Sequence, residues 1–264
     1  MAILLPFLLA ILLLSVSDIQ SEAIPDVAVR ALLLLLFYSI YLFLLISLAV
    51  WVSLRSSTGR NALLTLLTFW IFFTILLPKT VANLSESIYT LPSMRVFKAQ
   101  IQKDKTNGLD GNTPRSIRMS NLEKKYLEKY GVDSVQQLPF NFEGISMQAG
   151  EDHSNKVYDY HLDSLRDIFH HQNRLGSITS LFNPYLTVQH LSMALSGTDM
   201  HSSIHFEKKV EDYRRKLVRK MNHDMAENSE YGEFFGYKAG SNLWQEMEDF
   251  SYEMPTAFVI LQYY

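Results

Sequence analysis

The chain has 264 residues, a formal net charge of −3 and no cysteine. The lack of cysteine excludes disulfides and thiolate metal sites, and a mildly acidic balance gives no support for nucleic-acid binding. Charge is unevenly distributed, because residues 1–78 carry only three basic and three acidic side chains. The chain therefore divides into an apolar first third and a polar remainder that is long enough for one domain with its own core.

Three apolar stretches in the first third have the length of membrane spans: residues 1–17, 31–53 and 62–78. A bilayer core takes about 20 apolar residues, which the second stretch exceeds and the other two approach. None of them shows the periodicity of a soluble amphipathic helix, and none contains Asp, Glu, Lys, Arg or His. We expect three transmembrane helices that carry no proton relay of their own.

The first and the last apolar runs each leave two interpretations open. Residues 1–17 form either the first span or a cleaved signal peptide with a small-residue site at Ser21-Glu22-Ala23, although they contain no basic n-region and another span follows at once. Residues 256–264 form either the start of a truncated last transmembrane helix or a short interfacial tail with Tyr263 and Tyr264 as belt aromatics. A helical run of that length rises only about 13 Å, which is less than half a bilayer core.

Basic residues in the short loops determine the expected orientation. The loop after the second stretch contains Arg55 and Arg60 without an acid, whereas the loop before that stretch contains one base, Arg30. Because short loops rich in Arg and Lys stay in the cytoplasm, the loop with two arginines is predicted to be cytoplasmic. Residues 79–255 are then predicted to form an extracytoplasmic domain.

This domain, residues 79–255, is predicted to be mostly helical. Ser120 and Glu123 fit a capping box at the start of a helix, and Gly131 fits the end of the same helix. A second helix is predicted over residues 155–175, where apolar side chains recur at helical spacing.

Two further helices are predicted downstream. Pro184 fits the first turn of a buried helix that ends before Gly197. Residues 202–226 have apolar side chains at spacings of three and four, which is typical of a helix with one continuous apolar stripe. The stripe consists of Phe206, Val210, Tyr213, Leu217, Met221 and Met225. Residues 139–148 alternate for a few positions, so they form either a short strand or part of a helix.

The expected fold is therefore an all-α integral membrane protein. It has three transmembrane helices in residues 1–78, the start of a fourth in residues 256–264, and a mostly helical extracytoplasmic domain in residues 79–255.

Motifs for catalysis are absent from the sequence. No nucleotide-binding P-loop, H-E-x-x-H zinc motif or G-x-S-x-G hydrolase motif occurs, so we expect neither an enzyme nor a bound cofactor. The best metal candidates are Asp199, His201 and His205, because two histidines four residues apart share a helical face. The competing interpretation makes Asp199 a helix N-cap. A zinc site takes three or four ligands and no fixed fourth ligand is visible, which favours the cap.

A basic run follows in the same predicted helix, formed by Arg214, Arg215, Lys216, Arg219 and Lys220. Such a run either binds anionic lipid headgroups or forms a solvated face balanced by nearby acids. Glu207, Glu211 and Asp212 supply those acids, and the i,i+4 spacing of Glu211 with Arg215 favours an ion pair. The solvated face is the preferred interpretation.

A longer motif goes beyond these local patterns. The sequence SMAL-x-GTD occurs at residues 192–199, and His205, Phe206 and a Tyr213-Arg214-Arg215 run follow it. Upstream, the stretch YGVDSVQQLPFNFEGI occupies residues 130–145. In these elements the chain resembles a family of bacterial ATP-binding-cassette type 2 (ABC-2) permeases that carry a large extracytoplasmic domain of unknown function between their last two spans.

The resemblance implies a multi-pass protein of the bacterial inner membrane with six spans. Such a permease pairs with a second permease subunit, identical or different, and with a separate cytoplasmic ATPase subunit that alone binds ATP. On that template the three apolar stretches correspond to the third, fourth and fifth spans, and residues 256–264 correspond to the start of the sixth. The chain is therefore expected to be the C-terminal half of such a permease, and no catalytic or substrate residues are carried over.

Three functions follow as hypotheses. The first is a permease subunit that moves an unknown substrate across the membrane with energy from the ATPase. The second is a membrane-anchored binding or sensor module that acts through its outer domain. The third is a membrane-tethered enzyme that uses Asp199, His201 and His205.

Overall fold

The computed structural model describes residues 24–232 and 236–262, and within these ranges all regular elements are helices. The all-α fold predicted from the sequence is thereby confirmed for the described part of the chain. The apolar stretch at residues 1–17, together with Tyr263 and Tyr264, lies outside the described residues, so the predictions made for them stay predictions.

The bounds of the elements are as follows. In chain order they are α1 Ile24–Arg55, α2 Gly59–Ile71, a π-helical turn Phe72–Leu76, α3 Leu77–Ile88, α4 Met94–Asn107, α5 Arg115–Tyr130, a 3-10 turn Val135–Gln137, α6 Phe142–Ser180, α7 Pro184–Ser196, α8 Met200–Asn228, α9 Ser241–Gln245 and α10 Ala257–Leu261.

The described residues form two compact units. The apolar unit consists of residues 24–88, 171–206 and 253–262, and the polar unit consists of residues 89–170, 207–232 and 236–252. This division does not follow a single boundary after Pro78, because residues 171–206 and 253–262 pack with the apolar helices.

Helix α1 begins before the predicted stretch 31–53, at Ile24. Pro25 fits a first helical turn, where its missing N–H has no intrahelical partner to lose, and Asp26 suits the positive end of the helix dipole. As a result Asp26 and Arg30 belong to the helix and not to a loop.

The next apolar stretch forms a rod of three segments, α2, the π-helical turn and α3. Thr58 caps its start by accepting a hydrogen bond from the N–H of Asn61 at 3.3 Å. The rod continues through Pro78 to Ile88, whereas the sequence placed the end of the apolar span at that proline. The segments Pro25–Arg55 and Gly59–Ile88 are the two described helices that are long and apolar enough to cross a membrane, by length and composition.

Helix α7 confirms the bounds predicted from its proline and glycine. Asn183 is the N-cap, Pro184 opens the helix, and Gly197 ends it in the left-handed conformation at φ +67°. Ala194 and Leu195 are buried, as expected for a helix that packs against α1. Downstream, α10 is a short apolar helix that packs against α7 and α1.

Helix α5 of the polar unit starts earlier than predicted. It begins at Arg115 with Pro114 at the N-cap position, so Ser120 and Glu123 lie inside the helix and the predicted capping box is wrong. The carboxylate of Asp110 accepts hydrogen bonds from two following backbone N–H groups at 3.0 and 3.1 Å. This turn redirects the chain just before the proline, which supplies a helical start with its fixed φ.

The other helices of the polar unit largely agree with the sequence. Gly131 ends α5 at φ +66°, as predicted. Residues 139–148 enter helix α6 from Phe142 onward, which decides between the strand and the helix in favour of the helix. The helix predicted over residues 155–175 lies within α6, which is much longer.

The stripe on α8 is only partly buried. Met225 is 4 % exposed, but Phe206 and Val210 are 47 % and 38 % exposed. The stripe predicted from the spacing is therefore buried only towards the end of the helix.

Asn141 joins the start of α6 to the end of α8. Its backbone N–H donates to the carbonyl of Ala226 at 2.7 Å, and its Nδ2 donates to Ser229 Oγ at 2.8 Å and to the carbonyl of Glu230 at 2.9 Å. Its Oδ1 accepts from the N–H of Glu143 at 2.9 Å, which caps α6. The side chain is almost fully buried, and all its donors and acceptors are used.

A close approach of α6 to α8 requires a glycine at position 144. A Cβ at Gly144 would lie 2.5 Å from the carbonyl oxygen of Asn222 and 2.7 Å from the backbone nitrogen of Ala226. Gly144→Ala is therefore expected to lower the free energy of unfolding by about 1–3 kcal/mol through overpacking.

Thermal unfolding of the full chain followed by circular dichroism measures this effect. Gly150→Ala is the matched control, because it lies on the same helix and nothing lies within 4 Å of its added Cβ. The control is expected to raise stability by about 0.5–1 kcal/mol through helix propensity. Equal effects of the two variants would contradict the close approach.

Candidate functional site

The π-helical turn leaves one backbone carbonyl of the apolar rod without a helical donor. The N–H of Leu77 bonds to the carbonyl of Phe72, which is the i→i+5 pattern of a π-helix. In the same pattern the carbonyl of Phe73 would accept from residue 78, but this residue is Pro78 and has no N–H. A carbonyl in an apolar surrounding is costly unless it finds another donor.

Asn183 supplies that donor. Its Nδ2 donates to the carbonyl of Phe73 at 2.8 Å, while its Oδ1 accepts from the N–H of Tyr185 at 3.1 Å and caps α7. The side chain is 0 % exposed. The buried amide of Asn183 thus supplies the hydrogen-bond donor that the proline removes from the rod, and it caps the start of α7.

Sequence reasoning identified the cap region of α7 but not the bond to the rod. The available signal was an asparagine directly before Pro184 together with Pro78 inside an apolar stretch.

A second polar cluster of the apolar unit is built around Arg30. The residue is 7 % exposed, and its Nε lies 2.6 Å from Oδ2 of Asp26, one helical turn earlier. Its Nη1 donates to the carbonyl of Leu195 at 2.9 Å, and its Nη2 donates to the carbonyl of Pro255. Asp26 Oδ1 in turn accepts from the N–H of Ala257 at 2.8 Å.

These contacts join three helix ends. Leu195 lies in the last turn of α7, where carbonyls lack intrahelical donors and a positive charge is favoured. Ala257 is the first residue of α10, where an N–H lacks an acceptor and a negative charge is favoured. The Arg30–Asp26 pair therefore connects the start of α1 to the end of α7 and to the start of α10.

The basic run of the polar unit pairs with acids of α6. Arg215 places Nη1 and Nη2 at 2.9 and 2.6 Å from the two carboxylate oxygens of Asp159. Arg214 bonds Glu211 through two nitrogens, each at 2.7 Å, and Asn155 at 2.8 Å.

Two more bases of the run are also balanced. Arg219 pairs with Asp152 at 3.3 Å, and Lys220 pairs with Glu246 at 3.2 Å. The balanced face is thus the arrangement observed, although Asp152 and Asp159 of α6 contribute to it and the predicted Glu207 and Asp212 do not. The predicted pair of Glu211 with Arg215 is present at 2.9 Å.

Glu211 predicts a pH dependence for the polar unit. Hydrogen bonds from Arg214, followed by those from Arg215, lower the pKa of Glu211 from 4.5 to about 2. Because the pKa is lower in the folded state, the stabilisation is fully present above pH 4.5 and is lost as the pH falls from 4.5 towards 2. Glu211→Gln is therefore expected to destabilise the chain at pH 7, by a margin that shrinks over this pH range.

Denaturant unfolding at a series of pH values measures that margin. Asp212→Asn is the matched control, because it removes the same charge from the exposed neighbouring position. A margin for Glu211→Gln that stays constant between pH 7 and pH 2 would contradict the role of the arginines.

The polar unit also contains an open cleft of about 490 Å³ between α4 and α6. His161 lies in its wall with Nε2 at 2.8 Å from Oδ2 of Asp104, and Phe97 and Tyr160 contact the imidazole edge to face. Lys103 provides a cation at the rim. The size falls in the range of small-molecule sites, and the lining mixes apolar and polar groups.

The three metal candidates of the sequence occupy a helix start. Asp199 is 3 % exposed, with Oδ2 accepting from the N–H of His201 at 3.1 Å and Oδ1 from that of Ser202 at 3.3 Å. Both oxygens thus cap α8, which is the competing interpretation of the sequence. Within residues 24–232 and 236–262, no three His, Cys, Asp or Glu side chains, including those of Asp199, His201 and His205, form a group that could hold a metal ion.

Comparisons with known proteins give one match. A family model described as a domain of unknown function, DUF3526, matches residues 95–253, which is more than half of the chain. No curated protein and no solved structure matches the chain.

Proposed function

The chain belongs to the family of this domain of unknown function, DUF3526, and we propose that it is a permease subunit of an ABC-2-type ATP-binding-cassette transporter. In this proposal it is a multi-pass protein of the bacterial cell (inner) membrane and moves a substrate with energy from a separate ATPase. The resemblance of residues 192–199 and their neighbours to such permeases supports the proposal.

The observation that carries the proposal is the exposure of the two apolar helices. Their mean hydropathies are 2.6 and 1.9, yet only 0 % and 6 % of their most apolar segments are buried. A core helix of a soluble protein would be covered by other elements. Large side chains such as Leu32, Phe43 and Leu63, each at least 66 % exposed, would instead face lipid.

The proposal assigns the energy source to a partner that hydrolyses ATP. The chain contains no P-loop, and its apolar stretches contain none of the charged groups that proton-driven carriers use. The proposal therefore takes the energy from another subunit, and a second permease subunit would complete the pathway.

The orientation is proposed from the basic loop. Arg55 and Arg60 flank the connection between α1 and α2, whereas Arg30 is paired with Asp26 within α1. The connection would lie in the cytoplasm, and the polar unit would lie on the extracytoplasmic side.

Single cysteines in the cysteine-free chain test this orientation. Asn112→Cys, in an exposed loop of the polar unit, is expected to react with a membrane-impermeant maleimide on intact cells. Ser57→Cys, exposed between α1 and α2, is the matched position and is expected to react only after the membrane is opened. The reverse pattern would overturn the proposed sidedness.

The partner is tested by purification of the tagged full chain from native membranes in mild detergent. We expect a P-loop ATPase to co-purify in comparable amounts, and the assembly to hydrolyse ATP. An unrelated membrane protein with the same tag is the control. If no such ATPase accompanies the chain, the permease proposal fails.

The cleft of the polar unit supports a second proposal, a membrane-anchored binding or sensor module. Tyr160 is 60 % exposed at this cleft and offers an aromatic surface to a ligand. Under this proposal Tyr160→Ala abolishes cellular function, whereas Tyr231→Ala, an exposed tyrosine outside the cleft lining, does not. Equal activity of both variants would contradict it.

A further inference from the structure

A charge-free segment lies in the apolar unit, far along the chain from the apolar helices. Between Arg174 and Asp199 the sequence contains no Asp, Glu, Lys or Arg. This segment comprises the end of α6, a tight turn and the whole of α7. The family match and the predicted outer domain both include it, yet it packs with α1 and the π-helical turn.

The hydrogen bond from Asn183 to Phe73 fixes the level of the turn along the rod. Phe73 lies six residues before Lys79, the first charged residue after the apolar stretch 62–78. At a helical rise of 1.5 Å per residue, this carbonyl is about 9 Å inside the level of Lys79. The turn that contains Asn183 therefore lies beside the apolar part of the rod and not beyond its polar end.

Side chains next to Asn183 are apolar and uncovered. Leu181 and Phe182 are 79 % and 77 % exposed, and Ile178 is 51 % exposed. Apolar side chains so exposed at the tip of a turn are unfavourable in water.

Several polar groups of the turn are bonded within the protein. The N–H groups of Phe182 and Asn183 donate to the carbonyls of Thr179 and Ser180 at 3.1 and 3.2 Å. The hydroxyl of Thr187 donates to the carbonyls of Ser180 and Asn183. Non-helical backbone is tolerated at membrane depth only when it is satisfied in this way.

Several hydroxyls of the segment follow the same rule. Thr179 Oγ1 donates to the carbonyl of Leu175 at 2.9 Å, and Ser192 Oγ donates to that of Val188 at 2.6 Å. Thr68 in the apolar rod does likewise, with a bond of 2.9 Å to the carbonyl of Leu64. Bonds from hydroxyls back to their own helix remove the need for water.

We propose that the end of α6 and helix α7 form a re-entrant hairpin whose turn, residues 178–183, is inserted among lipid acyl chains. The inference rests on the membrane insertion in the proposed function. It makes residues 178–183 a lipid-contacting wedge where the sequence placed part of an outer domain. Lipid is the occupant because the wedge continues the exposed apolar surface of the rod at the same level.

Spin labels on single cysteines test the proposal in vesicles of phosphatidylethanolamine and phosphatidylglycerol. At Leu181→Cys and Phe182→Cys we expect frequent collision with oxygen and a loss of collision with a water-soluble nickel complex. Leu63→Cys, 67 % exposed on α2, is the lipid control, and Leu109→Cys, 46 % exposed in a loop of the polar unit, is the aqueous control.

Each other outcome overturns the inference in a distinguishable way. If positions 181 and 182 match Leu109 while position 63 reports lipid, the wedge is wrong but membrane insertion stands. If position 63 also reports water, both the wedge and the proposed function fail. If both reagents are excluded and the labels broaden each other by dipolar coupling, a second copy of the chain covers the turn instead of lipid.

Discussion

Arg30→Ala is expected to cause one of the largest losses of stability that a single substitution can produce in the apolar unit. The arginine is 7 % exposed and bonds Asp26 and two backbone carbonyls. The pair is partly buried, because the side chain of Asp26 is 29 % exposed, so the uncompensated carboxylate costs less than the roughly 3–5 kcal/mol of a fully buried pair. The carbonyls of Leu195 and Pro255 would lose a charged donor in addition.

The measurement is thermal unfolding of the detergent-solubilised chain, followed by the monodisperse fraction after heating. Arg55→Ala is the matched control, because it removes the same side chain from the exposed end of the same helix. In addition, residues 253–262 should become more accessible to protease in Arg30→Ala, since Arg30 and Asp26 both contact this segment.

A double-mutant cycle separates the pair from its parts. Asp26→Asn alone and Arg30→Ala alone should each destabilise, and the double variant should lose less than their sum. Identical melting of Arg30→Ala and Arg55→Ala would show that the cluster contributes nothing beyond the loss of an exposed arginine.

Local signals explain which elements were predictable. Pro184 and Gly197 defined α7 correctly, and Gly131 defined the end of α5, because a proline in the first turn and a left-handed glycine act within a few residues. The capping box at Ser120 was also predicted from local signals alone, and it was wrong. It was judged without the turn around Asp110 that starts the helix earlier.

Long-range partners explain what the sequence could not reveal. Arg30 was counted as a loop base, but its acceptors Leu195 and Pro255 lie 165 and 225 residues away. The donor for Phe73 lies 110 residues away, at Asn183. No local pattern specifies such pairs, because they depend on how α1, α7 and the apolar rod pack.

The proposed lipid contact of the charge-free segment before Asp199 could not be predicted from the sequence for a different reason. Its apolar side chains are interspersed with serine, threonine and glutamine, so it lacks the continuous apolar run on which recognition of a span depends. The hydroxyls become compatible with an apolar surrounding only once their bonds to backbone carbonyls are known. The basic run on α8 was interpreted correctly as a balanced face, although the acids of α6 that balance it could not be assigned.

Asn183→Ala is the second substitution with a large expected effect. It removes the donor to the carbonyl of Phe73, which leaves a buried acceptor unsatisfied at a cost of about 1–3 kcal/mol. It also removes the N-cap of α7, which costs a further amount of about 0.5–2 kcal/mol. Thermal unfolding in detergent measures the sum. Asn183→Ser should recover the cap but not the bond to the rod, because serine is a good N-cap without an amide donor.

The proline of the rod provides the decisive comparison. Pro78→Ala restores a backbone N–H at residue 78, which supplies the donor that the carbonyl of Phe73 lacks. In the Pro78→Ala background, Asn183→Ala should therefore cost only the loss of the cap, and the two substitutions should be coupled by about 1–3 kcal/mol. Strict additivity would mean that the amide of Asn183 does not replace the hydrogen bond that the proline removes. The π-helical turn would then be stabilised by packing alone.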